Sequence, residues 1–331
     1  MATFVIMGNA FSYCQVMCGG IIGMKNVVFI NETSHFKSTF GKLLNIILQK
    51  INRKMRISRF NSLLFKPYFC GAAVPDNEDI RFVFFDSNAQ ARDESFLKYL
   101  VKKYKAKLVL YVMNPTSSMM LNPRFYSKIY DLVFTVFARD AALYGWHGCN
   151  HLYTKMPDDE PAGTRGDGAD VFFAGRAKNR LQDILCTYEF LVNRKIRCDF
   201  NIVDVAKKEQ RYADDITYNQ WLPYKEVIRR MRRSKCVLEI LQYPGAGPTL
   251  RMVEAVVYNK KIITNDAAAP AHPFYDERFV QVFDAPENIR LSFIKEDSEP
   301  DYHYRGEYSA KNFLADIEEH LAVGNTLPGK G

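Results

Sequence analysis

Short apolar runs, each ending in polar or turn-forming residues, recur along the first half of the chain. They lie at Thr3–Met7, 26–31, 81–86, 107–113 and 131–136. β-Branched and aromatic side chains dominate these runs, and the stretch 93–104 between two of them has a helical period. Because continuous apolar runs are typical of strands covered on both faces, the pattern predicts a parallel sheet with helical crossovers.

A polar segment between residues 153 and 170, rich in Pro, Gly and Asp, interrupts the pattern and is the best domain boundary. Strands and helices alternate again after it. The predicted strands are 171–174, 199–205, 235–241 and 260–264. The predicted helices are 179–193, 223–234, 249–258 and, near the end, 310–321.

The chain length of 331 residues favours two domains over one. We expect an N-terminal α/β domain at 1–165 and a C-terminal α/β domain at 166–309. A helix and tail at 310–331 follow, and we expect them to pack back on the N-terminal domain.

Composition agrees with a globular fold, since 47% of the residues are hydrophobic and 25% are charged. The first residues lack a basic leader, and no apolar run approaches the roughly 20 residues that span a bilayer. We therefore expect a cytoplasmic protein. The seven cysteines are scattered, without the spacing of a zinc or redox motif, and are expected to be reduced thiols.

The net charge of +8 is concentrated in the N-terminal half, where residues 1–165 carry 21 Lys and Arg against 12 Asp and Glu. Residues 42–60 combine apolar and basic positions at helical spacing, which predicts a basic amphipathic helix. Such a helix either rests on an anionic membrane surface, as in a peripheral protein, or packs on the sheet with its basic side solvated. A nucleic-acid partner is not expected, because the chain lacks a helix-turn-helix, a zinc framework and an RNA-binding module.

The segment with the clearest chemistry is 236–254, where an apolar strand runs through a Gly- and Pro-containing loop into a helix. Gly245 and Gly247 allow close approach of the backbone to a phosphate, and the free N–H groups of the helix start favour negative charge. Thr249 supplies an N-cap and a hydroxyl donor.

Arg251 and Glu254 follow in the first turns of this helix. A cation in the first turn opposes the helix dipole, which favours an anion nearby. Glu254 lies three residues after Arg251, close enough to hold its guanidinium or to accept hydrogen bonds from ribose hydroxyls. A surface Arg–Glu pair beside an ordinary turn explains the same spacing equally well.

The segment 247–265 resembles the phosphate-binding strand-loop-helix of GT-B glycosyltransferases, particularly bacterial enzymes of capsular and lipopolysaccharide assembly. The resemblance implies two Rossmann-like domains, with the nucleotide-sugar donor in the C-terminal one. It implies that Glu254 holds the donor ribose and that Gly247, Thr249 and Arg251 meet the pyrophosphate. Many such enzymes carry a further glutamate where this chain has Ala246, so the resemblance leaves the stereochemistry open.

Two other segments fit the same family. In the basic loop after strand 171–174, Arg176, and secondarily Lys178, would neutralise donor phosphate, as such enzymes do in the absence of a metal. Leu222 and Pro223 stand where GT-B enzymes cradle the nucleobase, and Trp221 or Tyr224 could stack on it. A basic loop capping a helix and an aromatic packing staple are the structural alternatives.

For the reaction we expect an acceptor hydroxyl, on a surface glycan or a lipid-linked saccharide, to attack the anomeric carbon of the donor sugar. Glu32 and His35 follow a predicted strand and are the candidates for the base, with His147 and Asp140 as competitors and a surface role as the alternative. No cofactor or metal is expected, because no Asp-x-Asp lies at a strand end. The second hypothesis is a non-catalytic nucleotide-sugar-binding or scaffolding subunit of a polysaccharide assembly complex.

Overall fold

A computed structural model describes residues 2–8, 12–30, 65–69, 71–75, 79–88, 90–116, 122–155, 168–242 and 249–324. The chain forms two compact units. The N-terminal unit comprises Met1–Thr154 together with Glu307–Gly331, and the C-terminal unit comprises Lys155–Gly306.

The N-terminal unit contains a six-stranded parallel sheet in the order β2-β1-β3-β4-β5-β6. Its strands are β1 Thr3–Met7, β2 Val27–Ile30, β3 Ile80–Phe85, β4 Lys107–Val112, β5 Leu132–Thr135 and β6 His147–Gly148. Its helices are α1 Ser12–Met17, α2 Glu94–Tyr104, α3 Pro123–Ile129, α4 Ala138–Tyr144 and, from the chain's end, α9 Ala310–Gly324.

Both faces of this sheet are buried, as the apolar runs predicted. Val5, Phe82 and Phe84 belong to the core on one face. Val83 and Tyr111 belong to the core on the other face, which also contains a group of side chains from α9: Phe313, Leu314 and Ile317. Alternate residues of one strand therefore enter different cores, which requires a cover on each face.

The C-terminal unit contains a second six-stranded parallel sheet, in the order β12-β11-β10-β7-β8-β9. Its strands are β7 Val171–Arg176, β8 Cys198–Val203, β9 Thr217–Tyr218, β10 Cys236–Glu239, β11 Lys261–Thr264 and β12 Val280–Val282. Its helices are α5 Leu181–Val192, α6 Tyr224–Arg233, α7 Leu250–Val257 and α8 Leu291–Lys295.

The strand order of this sheet reverses once. The chain winds outward from β7 through β8 to β9, returns to the other side of β7, and winds outward through β10, β11 and β12. The reversal lies between β7 and β10, and it places the carboxyl ends of these two strands side by side. In open α/β sheets, ligands bind at such a point.

Most of the strands and helices predicted from the long apolar runs are confirmed, with ends shifted by one to three residues. The strands that were not predicted, β6, β9 and β12, have two or three residues, too few to show a period. The predicted helix at 42–60 lies outside the described residues. Within the part of the chain that the structure describes, no helix has the length and apolar character needed to cross a membrane.

Candidate functional site

The site lies at the carboxyl ends of β7 and β10, where the strand order of the C-terminal sheet reverses. The loop that leaves β10 includes residues 243–248, which lie outside the described residues, and with them Gly247. The described chain resumes at Thr249. Its hydroxyl accepts a hydrogen bond from the Met252 amide at 3.4 Å, which confirms Thr249 as the N-cap of α7.

A buried carboxylate that the sequence analysis missed holds this helix start. Glu239 is the last residue of β10, and its Oε1 accepts hydrogen bonds from the Thr249 amide, at 3.1 Å, and the Thr249 hydroxyl. Its Oε2 accepts from the hydroxyl of Thr264, at the end of β11, at 2.6 Å. Burial raises the pKa of the Glu239 carboxyl, while these hydrogen bonds oppose the rise. The donors of Thr249 are thus engaged, and among the described residues the first-turn amides of α7 without a hydrogen-bond partner are those of Leu250 and Arg251.

Arg251 and Glu254 form an ion pair on α7, but it is not a surface pair. The side chain of Glu254 is 1% exposed and that of Arg251 is 19% exposed. Glu254 Oε2 accepts from the Arg251 guanidinium, and Oε1 accepts from the hydroxyl of Tyr224, the first residue of α6. Burial raises the pKa of the Glu254 carboxyl, against the lowering effects of Arg251 and Tyr224. The low exposure of both side chains excludes the alternative of a solvated surface pair.

The loop after β7 presents cations to the same place. Lys178 Nζ donates to Gln242 Oε1 at 2.8 Å, and Gln242 is the last described residue before the glycine-containing loop. The guanidinium of Arg180 donates to the main-chain carbonyls of Ile240 and Arg176. Among the described residues neither cation has a carboxylate within ion-pair distance, so both are held by neutral acceptors. Burial, together with the nearby Arg180 and Arg176, lowers the pKa of the Lys178 ammonium.

Arg176, the last residue of β7, lies at the outer side of this loop. Its guanidinium carbon is 5.1 Å from the centre of the Trp221 ring, and its Nε is 3.4 Å from a carboxylate oxygen of Asp204. Trp221 is 65% exposed. Leu222 and Pro223 come next in the chain and lead into Tyr224, which reaches Glu254. The fold therefore brings all the described C-terminal candidates to one edge of the sheet.

The N-terminal candidates belong to the other unit. Glu32 and His35 lie outside the described residues and remain predictions. Asp140 accepts hydrogen bonds from the amide and hydroxyl of Thr116, both at 2.9 Å, so it organises a loop. The His147 ring packs against that of His320 on α9, with ring centres 4.2 Å apart. Burial, and secondarily His320, lowers the pKa of the His147 imidazole.

Comparison with known proteins identifies the fold. No family model matches the chain, and no curated protein is similar to it. A trehalose-phosphate synthase (UDP-forming) from Burkholderia vietnamiensis is similar with a TM-score of 0.53 and 10% identity, over 99% of this chain and 100% of that one. A protein provisionally assigned as a UDP-N-acetylglucosamine 2-epimerase, from Listeria monocytogenes, gives 0.53 and 10% over 97% of each chain. The chain therefore has the two-domain α/β fold of GT-B glycosyltransferases.

Proposed function

We propose that this protein is a glycosyltransferase that takes its sugar from a nucleotide-sugar donor bound by the C-terminal unit. The observation that carries the proposal is the buried Glu254, which joins Arg251 and Tyr224 at the start of α7. Burying such a group is costly unless it is paired, and here it occurs at the edge where α/β sheets bind ligands. Its position at this edge is what favours a role in ligand binding.

The surrounding charges favour a diphosphate. The charged groups of Lys178 and Arg180 lie in a partly buried loop, and both donate hydrogen bonds to neutral oxygens. An anion placed there would offset the cost of burying these cations. The free amides of Leu250 and Arg251 and the positive end of the α7 dipole add to this attraction. Fixed cations also stabilise a departing nucleoside diphosphate, so we expect transfer to proceed without a metal.

The roles of single residues follow from their positions. Glu254 would accept hydrogen bonds from the donor ribose, and Arg251 with the α7 amides would meet the pyrophosphate together with Lys178 and Arg176. Thr249 would act mainly by orienting the helix start, since Glu239 engages its donors. Leu222 and Pro223 would form the wall beside the nucleobase, and Gly247 would let the backbone approach the phosphate.

The donor site would bind a particular nucleotide. The names of the two solved structures compared above both contain UDP, so a uridine nucleotide is the first to test. The acceptor would be a hydroxyl of a surface glycan or a lipid-linked saccharide. The basic N-terminal half would suit such an acceptor, or an anionic membrane surface at the cytoplasmic face, through its excess of Lys and Arg. Glu32 and His35 are the candidates of that half for the group that accepts the proton of this hydroxyl.

The proposal is tested by thermal unfolding of the protein with UDP, GDP, CDP or ADP. A ligand that binds only the folded state at 100 times its Kd stabilises it by about 2.7 kcal/mol. We expect one diphosphate to stabilise the protein. We expect Glu254→Gln to raise the Kd for that diphosphate about tenfold. Release of the nucleotide from the matching nucleotide sugar, undiminished by EDTA, would establish the activity.

The matched control is Glu226→Gln. Glu226 and Arg229 form an i,i+3 pair on α6 with the spacing of Arg251 and Glu254, but their side chains are 31% and 44% exposed. This variant should bind the nucleotide like the unaltered protein. Stabilisation by none of the four diphosphates would reject the donor site, and binding without turnover of any nucleotide sugar would favour a non-catalytic binding subunit.

A further inference from the structure

A histidine and a buried aspartate form a second polar group at the same edge of the C-terminal sheet. Asp266 follows the end of β11, and its Oδ2 lies 3.2 Å from His272 Nε2. Its Oδ1 accepts a hydrogen bond from the Ala268 amide at 3.0 Å. The side chain of Asp266 is 1% exposed and that of His272 is 15% exposed. The buried carboxylate thus has a fixed position, and the imidazole is partly open.

The carboxylate selects the tautomer of the imidazole. An ionised Asp266 accepts a hydrogen bond from Nε2–H, which leaves Nδ1 as the unprotonated nitrogen of neutral His272. The ring of Phe274 stacks on that of His272 at 5.4 Å between centres, which restrains its rotation. Within the described part of the chain, no partner of Nδ1 occurs. The group is therefore an oriented proton acceptor with an open nitrogen.

A chain of hydrogen bonds joins this pair to the proposed donor site. The Asp266 amide donates to the Thr264 hydroxyl at 3.0 Å, and that hydroxyl donates to Glu239 at 2.6 Å. Glu239 in turn holds Thr249 at the start of α7. His272 is therefore fixed relative to the groups proposed to hold the diphosphate.

We propose that His272, rather than Glu32 or His35 of the N-terminal unit, accepts the proton of the attacking hydroxyl in the transfer reaction, and that Asp266 orients it. The inference rests on the proposed function. As the hydroxyl oxygen forms its bond to the anomeric carbon, its O–H bond breaks and the proton moves to Nδ1 of His272. The bond from the anomeric carbon to the phosphate oxygen breaks, and its electron pair leaves with the nucleoside diphosphate. Asp266 stabilises the imidazolium that results.

The experiment measures release of UDP from a panel of UDP-sugars, with water as the attacking hydroxyl, by the full chain. His272→Gln should lower kcat about 100-fold or more, the usual contribution of a general base, with little change in KM. Asp266→Asn should lower kcat about tenfold or more. Added imidazole should partly restore His272→Ala.

The matched controls are His303→Gln and Asp301→Asn. His303 Nδ1 and Asp301 Oδ2 are 3.1 Å apart in the same unit, but their side chains are 81% and 63% exposed. Both variants should retain full kcat. UDP binding, followed by thermal unfolding, should persist in every variant, which also reports that each one folds.

The outcomes separate this inference from the proposed function. If UDP stabilises the protein and His272→Gln leaves kcat unchanged, or raises only KM, His272 is not the proton acceptor. The same holds if unaltered protein binds UDP but releases none from any UDP-sugar. If no nucleotide stabilises the protein, the donor site itself is rejected.

Discussion

The two sheets reverse their strand order at equivalent places, between β1 and β3 and between β7 and β10, and a buried carboxylate marks each reversal. In the N-terminal unit, Asp86 follows β3, and its Oδ2 accepts from the amide and the side chain of Asn114, both at 3.0 Å. Asn88 donates to the carbonyls of Met7 and Gly8, both at 2.7 Å. The partners at this reversal are neutral.

The reversal in the C-terminal unit differs in charge. Glu239 there has neutral partners too, but Arg251 pairs with Glu254 on α7, and Lys178 and Arg180 donate to Gln242 and Ile240 just after β10. Among the described residues, one reversal thus carries a carboxylate with neutral donors, and the other adds a buried Arg–Glu pair and two cations held by neutral oxygens. Sheet order therefore tells where a ligand binds, and the side chains at the edge decide which ligand charge is accepted.

The largest effect should come from removing the cation of the buried pair. Arg251→Ala leaves Glu254 without its cation, and breaking a buried pair costs about 3 kcal/mol or more. We expect that loss in the free energy of unfolding of the C-terminal unit, measured in urea, together with loss of nucleotide binding. Arg229→Ala, in the exposed pair on α6, should cost less than about 1 kcal/mol. Equal losses of unfolding free energy in the two variants would contradict the contrast between the buried pair and the exposed pair.

Lys178 tests whether the loop after β7 attracts an anion. Lys178→Met should raise the Kd for UDP about tenfold, because it removes one charge-assisted contact. Lys195→Met is the control, since Lys195 has a positive φ as Lys178 does but precedes β8, at the opposite edge of the sheet. Calorimetric titration should show no change in that variant. A Kd that Lys178→Met leaves unaltered would remove this loop from the site.

Glu239 should make stability depend on pH. Its pKa is raised in the folded chain, so the folded state keeps this proton above about pH 4.3, where an unfolded glutamate loses it. The free energy of unfolding should then fall as pH rises through the raised pKa, by about 1.4 kcal/mol for each unit of the rise. Urea unfolding of Glu239→Gln between about pH 4 and pH 8 should lack this fall. Parallel curves for the two proteins would show that Glu239 stays ionised throughout.

The smallest effect is expected at the N-terminal reversal. Burial raises the pKa of the Asp86 carboxyl, so Asp86→Asn removes a charge that is costly to bury, while its oxygen can still accept from Asn114. We expect the free energy of unfolding to stay within about 1 kcal/mol of the original or to rise, and UDP binding to stay unchanged. Weaker UDP binding in this variant would mean that the N-terminal reversal takes part in nucleotide recognition, against the proposal.

Much of the fold could be predicted from local patterns. The long apolar runs identified β3, β4 and β7, because both faces of these strands are buried and leave a continuous signal. Strands β9 and β12 were not predicted, because such short strands show no hydrophobic period. Within the site, the spacing of Arg251 and Glu254 predicted their pairing, since residues three apart on a helix are neighbours.

The remaining site residues could not be found from spacing. Tyr224 meets Glu254 across 30 residues, and Lys178 meets Gln242 across 64. Glu239 did leave a local signal, an acidic residue inside an apolar strand, which indicates a buried charge that needs partners. His272 left no local signal in the sequence. A loop histidine with an aspartate six residues before it is common on protein surfaces.

The sequence by itself determined the features that depend on neighbours along the chain: the strands, the N-cap at Thr249 and the i,i+3 pair on α7. The tertiary structure alone decided that β7 lies beside β10, although residues 177–235 separate them. That adjacency brings Lys178 and Arg180 to the residues that follow β10. The pairing of β10 with β11 joins Asp266 to Glu239 through Thr264. Burial and long-range hydrogen bonding change the energy of a charge, and both depend on contacts that no local pattern specifies.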